Sequence, residues 1–256
     1  MRTVTTPALL PGAEAFSADD GPIGVVISHG FTGSPASMRD WADHLAAAGY
    51  SVRLPLLPGH GTTWQDANAT TWPQWYGAVE DAFADLRGRC ERVFAVGLSM
   101  GGTLVTKLAE DHPDEVAGIV LVNPSYGTLR RDARLAPLVA RVVASRPGFG
   151  SDIKAGSSEN GYERVPLRAF VSLRKLWRVV VRDLPRVTAP ILLYTSREDH
   201  VVDELSARLL HAGATAAEIR HEWLENSYHV ATIDHDALQI FEGSVEFIRA
   251  HSRANA

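Results

Sequence analysis

Residues 97–101 read Gly97-Leu98-Ser99-Met100-Gly101 and lie between two segments of different periodicity. Ahead of them, Arg92-Val93-Phe94-Ala95-Val96 is a short β-branched and aromatic run, the pattern of a strand buried on both faces. Behind them, residues 102–111 place Leu104, Leu108 and Ala109 on one helical face. A serine between such elements must turn the chain tightly, and flanking glycines let backbones approach where a Cβ would clash. This G-x-S-x-G arrangement is a nucleophile elbow, which lifts the serine hydroxyl clear of a sheet at the N-terminus of a helix.

Outward from the elbow, strand-like and helix-like segments alternate, which predicts a mostly parallel sheet with helices on both faces. Strands are expected at 23–28, 50–54, 118–122, 191–195 and 218–224, and helices at 37–48, 72–86, 203–212 and 237–250. Between Asn123 and Val187 the alternation stops. No strand is expected there; two basic stretches, 130–145 and 167–181, read as helices, with a Gly/Ser-rich link at 148–161 between them. The domain reading is a core of 1–123 and 188–256, with 124–187 inserted as a small helical cap over the site; a crossover helix with long loops is the other reading.

The 256 residues are 45% hydrophobic, enough for a large core. The formal net charge of -5 comes without an acidic tail or a basic run, so nucleic acid and anionic membrane surfaces are expected to be poor partners. Cys90 is the single cysteine and reads as a small structural residue. The first seven residues lack the apolar region of a secretory signal, and no apolar stretch approaches a membrane span. A soluble, cytoplasmic protein without stable membrane insertion is expected, as monomer or homodimer.

A serine hydroxyl is a weak nucleophile at neutral pH and needs a base. On a parallel sheet its partners belong in loops at the C-terminal ends of later strands, acid before histidine. Asp199 follows the strand ending at Thr195, and His229 follows the last strand, so both converge on the edge that carries Ser99. His200, His221 and His235 lack that placement. Glu198 and Asp203 compete with Asp199, although Asp203 reads better as the N-cap of the next helix. One oxyanion donor is expected from the Met100 N–H, after the nucleophile. The second is expected from Phe31, in the loop His29-Gly30-Phe31-Thr32-Gly33-Ser34-Pro35.

With these residues in place, the chain resembles the α/β-hydrolase family over essentially its whole length. More narrowly it is similar to the small bacterial carboxylesterase and monoacylglycerol lipase group. The resemblance rests on the His29–Pro35 loop, Leu57-Pro58-Gly59-His60-Gly61, the elbow, and Asn226-Ser227-Tyr228-His229-Val230-Ala231-Thr232 joined to Glu198-Asp199-His200-Val201-Val202. It implies an α/β-hydrolase fold, Ser99 as nucleophile, Asp199 and His229 as its partners, and Phe31 with Met100 as oxyanion donors. It also implies a helical cap, an apolar acyl tunnel and a cap glutamate that contacts a glycerol head group. Glu163, in Gly161-Tyr162-Glu163-Arg164-Val165-Pro166, is the candidate for that contact, a solvated cap charge being the other reading. Arg130, Arg131, Arg134 and Arg141 depart from the cap pattern of the group. The expected activity is hydrolysis of a small-molecule ester or monoacylglycerol, with no metal and no organic cofactor. The same triad would also serve a C–C hydrolase, a perhydrolase or an acyltransferase, and a non-catalytic ligand-binding member would keep the scaffold.

Overall fold

Parallel strands covered on both faces must be apolar on both faces, and the central segments meet that demand. The structure, a computed structural model, describes residues 7–148, 150–156 and 161–252. The first six residues, on which the reading of the leader bears, and positions 149 and 157–160 of the Gly/Ser-rich link lie outside them. The strands are β1 (Phe16–Ala18), β2 (Ile23–Ser28), β3 (Ser51–Leu54), β4 (Arg92–Leu98), β5 (Val116–Val122), β6 (Ser145–Pro147), β7 (Arg164–Pro166), β8 (Ile191–Ser196) and β9 (Ile219–Leu224). Seven of them form one sheet in the order β1-β3-β2-β4-β5-β8-β9, parallel except where the short edge strand β1 joins β3.

The helices are α1 (Arg39–Ala47), α2 (Trp64–Ala67), α3 (Trp72–Arg87), α4 (Met100–Asp111), α5 (Ala136–Val139), α6 (Leu167–Asp183), α7 (Leu205–Gly213) and α8 (Ala237–Ser252). The two-residue period of a strand divides them between two layers. Val93 and Ala95 of β4 join Trp75, Phe83, Leu104 and Leu176, so α3, α4 and α6 cover one face. Phe94 and Val96 join Trp41, Leu45, Phe241 and Ile248, so α1 and α8 cover the other. Each such large side chain contributes about 1.5–3 kcal/mol by leaving water.

Residues 124–187 differ from the sequence reading in two ways. The stretch 130–145 is not one helix: a 3₁₀ turn at Arg131–Leu135 leads into α5, which ends after four residues. Leu135, Leu138 and Val142 are exposed, so a longer helix here would have no apolar stripe to bury, and short helices depend on such packing. The region also contains strand: β6 and β7 pair antiparallel as a small ribbon, with Arg146 opposite Val165. Further along, α6 buries Leu173, Leu176, Trp177 and Val180 in the same cluster as α3 and α4.

Candidate active site

β4 ends at Leu98 and α4 begins at Met100, so Ser99 alone reverses the chain, at φ 55 and ψ -118. Such a conformation costs a non-glycine residue on the order of 1–3 kcal/mol and persists only where neighbours hold it. Here the Ser99 N–H donates to the Val122 carbonyl at 2.9 Å, and the Ser99 carbonyl accepts from the Thr103 and Ser125 N–H groups, each at 3.2 Å. The glycines make the turn possible. A Cβ on Gly101 would overlap the Ser28 carbonyl oxygen, and one on Gly97 would overlap the Gly101 backbone. The elbow brings Ser99, 8% exposed, onto the wall of a cavity of about 550 Å³.

The loops after β8 and β9 bring Asp199 and His229 together, with 2.7 Å between Asp199 Oδ2 and His229 Nδ1 and both side chains buried. The other carboxylate oxygen of Asp199 accepts the Val201 and Val202 N–H groups, each at 2.8 Å. Burial pushes this carboxyl upward most strongly, but the His229 charge, its hydrogen bond and the two backbone donors together outweigh it and lower the pKa. Asp199 is therefore ionised, and an ionised acceptor at Nδ1 leaves Nε2 as the basic ring nitrogen. His229 lines the same cavity as Ser99.

The rival acids sit elsewhere. Glu198 is exposed and pairs with Lys154 at 3.3 Å. Asp203 accepts from the Leu205 N–H at 3.2 Å and the Leu129 N–H at 2.7 Å, so it ties the start of α7 to the chain beyond β5. Glu204, not Asp203, occupies the N-cap position itself.

Two positioning groups were not anticipated. Asp152, from the Gly/Ser-rich link, accepts through Oδ2 from the backbone N–H groups of His200, at 3.1 Å, and His229, at 3.2 Å. One carboxylate thus spans the loop of the acid and the loop of the histidine. Asn123, just past β5 and at φ 44, donates from Nδ2 to the His229 carbonyl at 2.9 Å and accepts the Ser196 N–H through Oδ1 at 2.8 Å. Its place at the C-terminal end of a buried strand was a legible signal, since ligand sites gather there. Asp152 had no such mark.

Phe31 lines the cavity beside Ser99. Its loop is anchored by His29, which is fully buried: Nε2 accepts the Leu57 N–H at 3.2 Å, and Nδ1 lies 3.0 Å from the Gly30 carbonyl as its donor. Burial, then the neighbouring His60, lowers His29 to about 3, so the anchor is neutral. Met100 is the first residue of α4, where a backbone N–H has no acceptor within its own helix. Glu163 is exposed on the cavity wall and forms no ion pair among the described residues. The adjacent Tyr162 fixes that segment, donating its hydroxyl to the Gly59 carbonyl at 2.7 Å and its N–H to the Thr32 carbonyl at 3.2 Å. Phe170, Leu173, Trp177 and Val230 supply apolar wall.

Comparison with known proteins agrees with this geometry. The pattern of the alpha/beta hydrolase family matches residues 25–240. A thermostable monoacylglycerol lipase of Bacillus sp. (strain H-257) is 41% identical over 247 residues, 95% of this chain and 97% of that protein. A solved structure of the metagenome-derived lipolytic enzymes LipS and LipT matches at TM-score 0.92 and 43% identity, over 95% of this chain and 100% of the other. The monoacylglycerol lipase of Paleococcus ferrophilus, at TM-score 0.74 and 20% identity over 93% and 99% of the two chains, shares the fold. An elbow between β4 and α4, set in this sheet order and under a family pattern that spans most of its length, means that the chain belongs to the alpha/beta hydrolase family.

Proposed function

We propose that this chain hydrolyses carboxylic esters through an acyl-enzyme on Ser99, with monoacylglycerols as its substrate class. The observation that carries the reading is the buried 2.7 Å Asp199–His229 pair, whose His229 lines the same cavity as the strained Ser99. In this reading His229 takes the Ser99 proton as the oxygen attacks the ester carbonyl, and Asp199 stabilises the imidazolium without taking the proton. The oxyanion is held by the N–H groups of Phe31 and Met100, each such donor typically worth about 10²–10³ in turnover. His229 then protonates the departing alcohol, and a water deprotonated by the same imidazole releases the acid.

A cavity of about 550 Å³ with aromatic and aliphatic walls suits an acyl chain, whose burial gains about 0.8 kcal/mol per methylene. Residues 124–187 act as the cap over it, and Glu163 would accept hydrogen bonds from glycerol hydroxyls. The monoacylglycerol assignment is supported by the Bacillus relative, at 41% identity over nearly both full lengths. The test is steady-state hydrolysis of a monoacylglycerol and of the methyl ester of the same acid. Ser99→Ala should abolish both, and residual turnover on either would overturn the mechanism. Glu163→Gln should raise KM for the monoacylglycerol and leave the methyl ester unchanged; equal effects on both would remove Glu163 from head-group binding.

A further inference from the structure

A net charge of -5 argues against an anionic partner only where charge is evenly spread, and here it is not. Residues 124–187 carry thirteen Lys and Arg against five Asp and Glu, while the rest of the chain carries twelve against twenty-five. Apolar exposure is just as uneven. Among the described residues, ten large hydrophobic side chains are exposed, and six of them fall between 129 and 143. Leu135, Leu138 and Val142 are 57%, 61% and 86% exposed, in the stretch where the expected helix did not form. Exposed aliphatic side chains at this density mark an interaction surface rather than ordinary scatter.

The segment bearing these side chains edges a groove of about 480 Å³, floored by Trp177, Val181 and Leu209. Its rim carries Arg134, Arg174 and Arg178, none of which has an ion-pair partner among the described residues. Arg174 and Arg178 are one helical turn apart, and burial followed by the Arg178 charge lowers the Arg174 guanidinium. Most described arginines outside this region find carboxylates, as Arg53 does with both Asp19 and Asp85 and Arg87 with Glu115. Uncompensated cations beside exposed leucine and valine require a counterpart that offers negative charge at its surface and hydrocarbon just below it.

We propose that this face, formed by residues 129–143 and α6, docks the chain peripherally on an anionic lipid bilayer. Leu135, Leu138 and Val142 enter the boundary between head groups and acyl chains, and Arg134, Arg174 and Arg178 pair with lipid phosphates. The acid-rich remainder is repelled by the same surface, so the charge division also orients the molecule. Arg130 and Ala133 of the docking segment line the cavity that holds Ser99, so docking places that cavity beside the lipid. The proposal concerns binding and does not depend on which ester is hydrolysed.

Flotation of the full chain with lipid vesicles tests it. The chain should float with vesicles of equimolar phosphatidylcholine and phosphatidylglycerol, remain behind with phosphatidylcholine alone, and be released by added salt. Each arginine near the surface is worth roughly fivefold in partitioning, so Arg134→Gln with Arg178→Gln should weaken binding roughly twenty-five-fold. Leu138→Asp with Val142→Asp, at side chains that bury little, should also abolish flotation. Both pairs should keep the wild-type melting temperature and turnover of a soluble p-nitrophenyl ester. Failure of the folded chain to float with anionic vesicles, equal flotation with neutral ones, or variants that float like the wild type would each overturn docking. Flotation without ester turnover would leave docking in place and count against the hydrolase reading alone.

Discussion

Asp152 receives N–H bonds from His200 and His229 on one oxygen, so it sets the distance between two loops that approach from different strands. Displacing reacting groups by about 1 Å can cost on the order of 10² in rate. Asp152→Ala should therefore lower kcat about tenfold to a hundredfold on a soluble ester with little change in KM. Asp152→Asn, which keeps an acceptor oxygen, should restore part of the loss; an Asn variant no better than Ala would argue that the charge matters rather than the position. Asp199→Asn tests the ring directly, since an amide donor facing Nδ1 favours the wrong tautomer. Its kcat should fall by about 10⁴ in steady-state assays while the fold is kept. Ser99 and Asp199 are legible because each stands just past a buried apolar run, and His229 because it lies in the loop after the last strand, where a parallel sheet presents its partners. Asp152 was not, because it sits in a link without periodicity and reaches its partners only through tertiary approach.

Elements were legible where burial wrote a pattern. β4, β5 and β8 are continuous apolar runs, and α3 begins at a capping box in which Gln74 accepts the Thr71 N–H at 2.9 Å. β6 and β7 left no such trace: Ser145-Arg146-Pro147 and Arg164-Val165-Pro166 are short, proline-bearing and largely polar. Their ribbon is held by backbone pairing and by contacts such as Arg164 Nε to Ser145 Oγ at 2.8 Å, none of which has a local signature. At the junction of β4 and α4 the constraint is steric. Gly101→Ala would drive a methyl group into the Ser28 carbonyl, so α4 must shift away from β2 and carry Ser99 with it. Overpacking of this kind typically costs about 1–3 kcal/mol. Urea unfolding should show a loss at the upper end of that range, and turnover should fall with it; wild-type stability would mean that the junction is looser than its geometry implies.

At the scale of the whole molecule, buried titratable groups give stability two limbs in pH. Burial lowers His29 to about 3, with His60 adding to it, and lowers His60 to about 4. An unfolded histidine titrates near 6.5, so below that pH the unfolded chain binds protons that the folded chain refuses. Stability is then lost as pH falls from about 6.5 through 4 towards 3, at roughly 1.4 kcal/mol per pH unit and group. Glu110 works in the opposite sense. It is fully buried near the C-terminal end of α4, neither carboxyl oxygen has a hydrogen-bond partner, and Lys107 Nζ is 3.9 Å away. Burial outweighs that lysine and raises the carboxyl to about 9. An unfolded glutamate gives up its proton near 4.5, so the folded state, which keeps it, loses stability as pH rises from 4.5 to 9. Between 4.5 and 6.5 the two histidines dominate the single acid, and above 6.5 only the Glu110 limb remains, which puts the maximum these groups impose near pH 6.5. Glu110→Gln replaces a carboxyl that must stay protonated with a neutral group of the same shape. It should raise the melting temperature clearly at pH 8 and scarcely at pH 5, flattening the alkaline limb and leaving the acid limb intact. Melting curves at both pH values decide the matter, because an unchanged alkaline decline in the variant would assign that limb to other groups.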